Sequence, residues 1–233
     1  MSKVANNIKP VYELFKEEVK KNNPDVDILE SLIDRLQQED IDKITELNLS
    51  DKKLDKLPNN IGNLTNLQEL YCSNNKVSIL PNSIGNLTNL QSFDCSNNKI
   101  SEIPDSIGDL TNLQYFDCSC NQISNLPYSI GNLTNLQYFY CDDNEISKIP
   151  DSIGNLTNLQ EFDCSDNKIN VIPKSIGNLT NLQNFYCFDN KINVIPKSIG
   201  NLTNLRCFSC SNNQLSEIPK WLKDMKKIDL LIV

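Results

Sequence analysis

Histidine is absent from this 233-residue chain, tryptophan occurs once and methionine twice. Without imidazole, no Ser–His, Cys–His or His-ligated metal mechanism can be assembled. Long apolar runs are also missing. No stretch reaches the roughly 18 residues of a membrane helix, and Met1 to Asn7 holds no apolar run of an export signal. Basic side chains are the minority, 22 against 30 acids, for a formal charge of −8. That balance disfavours nucleic acid, because phosphate binding needs clustered Lys and Arg. No GxxxxGK or GxGxxG string is present to cradle a phosphate. These absences predict a soluble, cytoplasmic (intracellular) protein with no cofactor, no resident metal and neither a membrane nor a nucleic-acid partner.

What the chain has in abundance is repetition. SIGNLTNLQ begins at Ser83 and recurs at Ser129, Ser152 and Ser175, with near-copies at Ser106 and Ser198, always 23 residues or a multiple apart. On that period eight repeats cover residues 44–227, starting at Ile44, Leu67, Leu90, Leu113, Leu136, Leu159, Leu182 and Leu205. A partial ninth spans 228–233, with Ile228, Leu231 and Val233. Residues 1–43 lie outside the register. The six Asn-Leu-Thr triplets, the first at Asn63, match a glycosylation sequon but read as a by-product of the repeat.

Leu67 to Val77 follows LxxLxCxxNxV and is followed by Leu80-Pro81, Ile84 and Leu87. This resembles a leucine-rich repeat of the 23-residue class, and is similar to intracellular Ras-group-related leucine-rich-repeat proteins. The resemblance implies an α/β solenoid, a curved horseshoe with parallel strands on its concave face and turns or 3₁₀ helix on its convex side. It also implies a binding module rather than an enzyme. Partners consistent with it include a small GTPase or signalling complex. Alternatives are substrate recruitment of the ubiquitin-ligase effector type, or inhibition of an enzyme by wrapping it.

The physical reading agrees. Alternate apolar residues face one side of a short strand, and stacked coils bury for one another what none can bury alone. The columns divide into core and surface. Asn75, Asn98, Asn121, Asn144, Asn167, Asn190 and Asn213 form a ladder expected to pair with backbone where each coil bends. Cys72, Cys95, Cys118, Cys141, Cys164, Cys187 and Cys210 form an inward ladder, with Phe93 and its equivalents two positions earlier. Phe plus Cys replaces two leucines at similar volume. Parallel Cβ vectors about 4.8 Å apart suit neither disulfides nor tetrahedral zinc. Cys120 and Cys207 fall off the ladder and are expected to be surface thiols. Glycines at Gly85 and its equivalents are expected to permit the tight convex turn.

The outward strand positions carry the candidate site. From Ile44 to Leu215 the chain has 17 acids and 11 bases, yet the concave positions hold 11 of the acids and one base, Arg206. One sign of charge on a concave surface focuses potential and steers the opposite sign. Tyrosines fall there as well, either as binding anchors or simply as good strand residues. The candidate partner-binding set is Tyr115, Asp117, Tyr138, Tyr140, Asp142, Asp143, Glu161, Asp163, Asp166, Tyr186, Phe188 and Asp189. The Asp142, Asp143 and Asp166 group lacks a loop that would wrap oxygens around calcium. The expected partner is a protein with a basic or mixed surface.

At the N-terminus, Val11, Tyr12, Phe15 and Val19 predict one helix and Val26 to Leu36 a second, running to about Gln38 with Pro24 as its first residue. The pair reads as a cap on the first coil, or as an independent interaction unit. At the other end, Trp221, Leu222 and Met225 break the pattern among Lys220, Lys223, Lys226 and Lys227. The apolar final strand is a minimal cap, the edge of a homodimer, or a seam to further chain.

Overall fold

The computed structural model describes residues 9–223 and 230–232. Met1 to Asn7, Met225, Lys226, Lys227, Ile228 and Val233, which entered the sequence reading, lie outside them. Nine three-residue strands form a single parallel sheet in chain order: β1 Glu46–Asn48, β2 Glu69–Tyr71, β3 Ser92–Asp94, β4 Tyr115–Asp117, β5 Tyr138–Tyr140, β6 Glu161–Asp163, β7 Asn184–Tyr186, β8 Cys207–Ser209 and β9 Leu230–Ile232. Each residue pairs with the one 23 positions later, from Leu47↔Leu70 to Phe208↔Leu231. The sequence period is therefore the hydrogen-bond register of the sheet. Short 3₁₀ turns, such as Asn82–Asn86 and Asp151–Asn155, line the opposite side.

Between the two sides lies a continuous core. Phe93, Phe116, Phe139, Phe162, Phe185 and Phe208 are fully buried and stack face on face, with neighbouring centroids 5.4–5.6 Å apart. The offset-stack range for aromatic pairs includes that distance. The seven ladder thiols are buried beside them and free. Burial drives the Cys118, Cys141 and Cys164 thiols well above the ordinary cysteine range, so they stay protonated and unreactive.

The asparagine ladder does what its position predicts. Asn144 Nδ2 donates to the carbonyls of Cys118, Cys141 and Asp142 at 3.0, 3.3 and 3.0 Å, and its Oδ1 accepts from Ile123 N at 2.9 Å. One amide thus closes its own bend and ties it to the previous coil. Where the first coil has Lys52, that residue's N–H is taken up by Asn75 Oδ1 at 3.1 Å. A second asparagine ladder starts each strand: Asn112, Asn135, Asn158 and Asn181 donate to the threonine carbonyl of the coil before, at 2.8 Å each.

The glycine column has a different cause from the one expected. No glycine has positive φ. A Cβ on Gly131 would instead lie 2.5 Å from the Ser152 carbonyl oxygen, and one on Gly108 would lie 2.6 Å from Ser129 Cβ. Glycine is required because the next coil's turn presses against it. A Cβ on Gly200 would meet nothing within 4 Å among the described residues.

Among the described residues the N-terminal cap has three helices, not two: α1 Val11–Lys20, α2 Val26–Ile33 and α3 Gln38–Ile41. Asp25 rather than Pro24 starts α2, accepting from the N–H groups of Asp27 and Ile28 at 2.9 and 3.2 Å. α2 stops at Ile33, because the chain must swing round so that buried Leu36 reaches the core and Gln37 turns extended. Glu18, only 5% exposed, clasps the two helices by accepting from Asp25 N at 2.8 Å and pairing with Lys21 at 2.5 Å. Glu30 and Asp34 then bind Asn59 and Asn60 of the first coil. At the other end Leu222, in α4 Lys220–Lys223, is fully buried.

Cys207 is not a surface thiol. It sits in β8, 8% exposed, because β9 pairs alongside and Leu230 lies next to it in register. Cys120 is half-buried, and burial together with nearby Asp143 pushes its thiol up to about 11.

Candidate functional site

Two outward columns on β4–β7 bring most of the predicted residues together. One runs Tyr115, Tyr138, Glu161, Asn184; the other runs Asp117, Tyr140, Asp163, Tyr186. Just past the strands follow Asp142 and Asp143, then Asp166, then Phe188 and Asp189. The Tyr115 and Tyr140 rings meet across the columns, centroids 5.6 Å apart and tilted by 52°. Tyr140 Oη donates to Glu161 Oε1 at 3.1 Å, and Asn184 Nδ2 to Glu161 Oε2 at 2.8 Å. Tyr115 Oη reaches Asp117 Oδ2 at 3.3 Å. Tyr138, Asp143, Asp166 and Asp189 are exposed, and Phe188 is half-buried.

Backbone geometry explains part of the acidity. Asp51, Asp143, Asp166 and Asp189 sit at φ of 50–59°, in a column completed by Asn74, Asn97, Cys120 and Asn212. Asn and Asp tolerate that left-handed conformation best among residues with a Cβ. Asp94, Asp117 and Asp163 each accept at Oδ1 from the N–H and hydroxyl of the serine two residues on, at 2.5–2.9 Å. Seven of the eleven concave acids therefore have a local structural role as well as a charge. Asp142 does not, and its carboxyl is pushed up to about 6 by burial and by Asp163, with Asp117 and Asp143 adding to it. Burial also raises Asp117, Asp163 and Asp166, and carries Tyr115 and Tyr140 above the usual tyrosine range. Burial and adjacent Cys207 push Tyr186 up to about 12.

Asp142 holds its proton more tightly in the folded chain, about 6 against an ordinary 3.8. The unfolded state ionises first, so stability falls as pH rises between those values and is flat above them. Asp142→Asn should match the parent in thermal melts at pH 3.5, exceed it progressively to about pH 6, and keep a constant advantage beyond. Parallel melting curves at every pH would contradict this.

One feature escaped the sequence reading. A trough of about 730 Å³ runs along the strand starts, lined by Gln91, Gln114, Gln137, Gln160 and Gln183 on one wall and by Asn112 to Asn204 on the other. Next to it a hollow of about 490 Å³ includes Tyr71, Asp94, Tyr115 and Tyr138, and the two share Gln91, Gln114 and Gln137. The signal was present as the Asn-Leu-Gln string of most repeats. Among the described residues no group of three or more His, Cys, Asp or Glu side chains is arranged to hold a metal ion, and no helix is long and apolar enough to cross a membrane.

Comparison with known families gives matches to a leucine-rich repeat region over residues 85–168, to two-copy leucine-rich repeats over 180–223, and to single repeats over 66–87 and 158–179. The chain is a leucine-rich-repeat protein. No curated protein matches it. Among solved structures, this leucine-rich-repeat chain is similar to internalin C2 of Listeria monocytogenes, at 26% identity and a TM-score of 0.76, covering 95% of this chain and 91% of that one. It is also similar to a plant peptide hormone receptor, RGFR1, in complex with RGF2, at 35% identity and a TM-score of 0.72 over 80% of this chain, but it spans only 31% of the receptor chain. A functional domain of InlJ from Listeria monocytogenes that includes a cysteine ladder shares the fold, at 21% identity and a TM-score of 0.63, with 92% of this chain and 51% of that chain covered. The leucine-rich-repeat architecture is that of a protein–protein interaction module.

Proposed function

We propose that this leucine-rich-repeat protein binds a basic segment of a partner protein on the concave face of repeats four to seven, without chemistry of its own. The observation that carries the reading is the pairing of exposed or half-exposed Tyr138, Tyr140, Tyr186 and Phe188 with carboxylates, and Arg206 as the one base at concave positions from Ile44 to Leu215. Aromatic side chains anchor interfaces at low entropic cost, and a concentrated single charge accelerates encounter. The plant receptor of similar fold, solved with RGF2, supports a peptide-like partner. The intracellular location expected from the sequence belongs to the same reading; there the thiols remain reduced. So does a signalling role like that of Ras-group-related proteins. The apolar edge of β9, with Leu230 and Ile232 exposed, is the surface through which two copies would pair.

Association of a lysine-rich test peptide should slow as salt is raised. The variant Asp142→Lys, Asp143→Lys, Asp166→Lys should reduce that salt dependence and weaken binding by about tenfold or more. Asp163 is left in place because it caps its own turn. Lysine in a left-handed conformation has a precedent in Lys53, at φ 60°, two residues past the equivalent Asp51. Undiminished affinity in a variant that melts like the parent would remove the concave face from the reading.

A further inference from the structure

We propose that the concave face recognises an extended polyproline-II segment carrying a cation at every third residue. The inference rests on the basic-partner reading above and adds the partner's conformation and register.

The spacing of the acids matches the period of one backbone conformation. The outward column of β4–β7 alternates acid and aromatic: Asp117, Tyr140, Asp163, Tyr186. Parallel strands lie about 4.8 Å apart, so Asp117 and Asp163, two strands apart, are separated by about 9.6 Å. A polyproline-II helix has three residues per turn and rises about 3.1 Å per residue, so its same-side positions recur about every 9.3 Å. The mismatch is about 0.3 Å per period. A β-strand presents its same-side residues about every 6.7 Å and falls out of step at once. An α-helix returns to the same face after seven residues, about 10.5 Å, and drifts about 0.9 Å per period.

The remaining surface complements the same occupant. A polyproline-II backbone makes no internal hydrogen bonds, so its carbonyls need outside partners. The amide trough offers donors at each coil; the side chains of Gln91, Gln114 and Gln183 have no hydrogen-bond partner among the described residues. The trough adjoins the tyrosine hollow through Gln91, Gln114 and Gln137. Tyr140, between the two acids, and Tyr186, on the far side of Asp163, offer ring faces to proline rings and to the stems of the basic side chains. The carboxylates are held in place: Oδ1 of both Asp117 and Asp163 is fixed by a serine, and Oδ2 of Asp163 has no partner among the described residues. From Gln91 to Gln183 is four coil spacings, about 19 Å, room for about six residues in this conformation.

Two synthetic peptides of identical composition test the register: four copies of Lys-Pro-Pro, and a block of four lysines followed by eight prolines. Calorimetry at one salt concentration should give the periodic peptide about tenfold higher affinity. The double variant Asp117→Asn, Asp163→Asn keeps the serine-bonding oxygens and should erase that preference. Equal affinities of the two peptides for the parent protein would overturn the register while leaving the basic-partner reading standing. Binding of neither would overturn both. A preference that survives in the double variant would also overturn the proposed role of the alternating acids.

Discussion

Phe139→Ala should lower stability by about 3–5 kcal/mol, the loss seen when a fully buried aromatic is truncated in a core that cannot collapse around the space. Phe139 has no solvent exposure and stacks on Phe116 at 5.6 Å and on Phe162 at 5.4 Å. Solenoid stability is close to a sum of repeat and nearest-neighbour interface contributions. A mid-stack ring lies in two such interfaces, so its removal weakens both. Phe93 begins the stack and has an aromatic neighbour on one side only, with Leu70 in register on the other. Phe93→Ala should therefore cost less than Phe139→Ala in urea unfolding. The central deletion should also broaden the transition, as the two halves lose their coupling. Equal losses at both positions would show that the rings are independent fillers.

Asn144→Ala should cost at least about 3 kcal/mol. It leaves the Ile123 N–H and the carbonyls of Cys118, Cys141 and Asp142 without the partner they share. Each buried group so abandoned is worth about 1–3 kcal/mol, less whatever water recovers. Asn144→Asp separates the two halves of the amide. It keeps an acceptor for Ile123 N but points a carboxylate at three carbonyl oxygens, so it should be no better than alanine. Amide exchange at Ile123 should quicken in Asn144→Ala and remain slow at Ile192, whose N–H is held by Asn213 at 2.8 Å. A melting temperature unchanged in both variants would contradict the ladder's role.

Most of the architecture was legible because it is written eight times. Strand register, the Phe and Cys columns and the asparagine ladder all follow from a period that never slips. What was misread depended on neighbours in space. The glycines looked like turn residues, but their need comes from Ser83, Ser106 and the serines that follow, each belonging to the next coil. Cys207 looked outward because its cover, β9, belongs to a segment where the repeat pattern fades. The end of α2 was set too late, since helical spacing continues to Leu36 while the chain is already turning toward the first coil. The amide trough is hard to see in sequence because its Gln and Asn columns are nearly uniform from repeat to repeat. The concave acids were found from sequence. Their dual nature was not: the left-handed φ of Asp143, Asp166 and Asp189 and the serine caps on Asp117 and Asp163 are invisible without a backbone.

The unbroken 23-residue register from β1 to β9 makes the molecule's length a quantised quantity. Whole coils can be removed or duplicated with every ladder, glycine contact and ring stack rejoining its equivalent, whereas any other change of length in the repeats breaks all of them together. The concave face is then a string of interchangeable beads. Excision of residues 136–158 would place Asp117 directly beside Asp163, halving the interval between acids without altering a single core contact type. Recognition in such a chain can change by copying and deletion, at the level of spacing, while the fold stays the same.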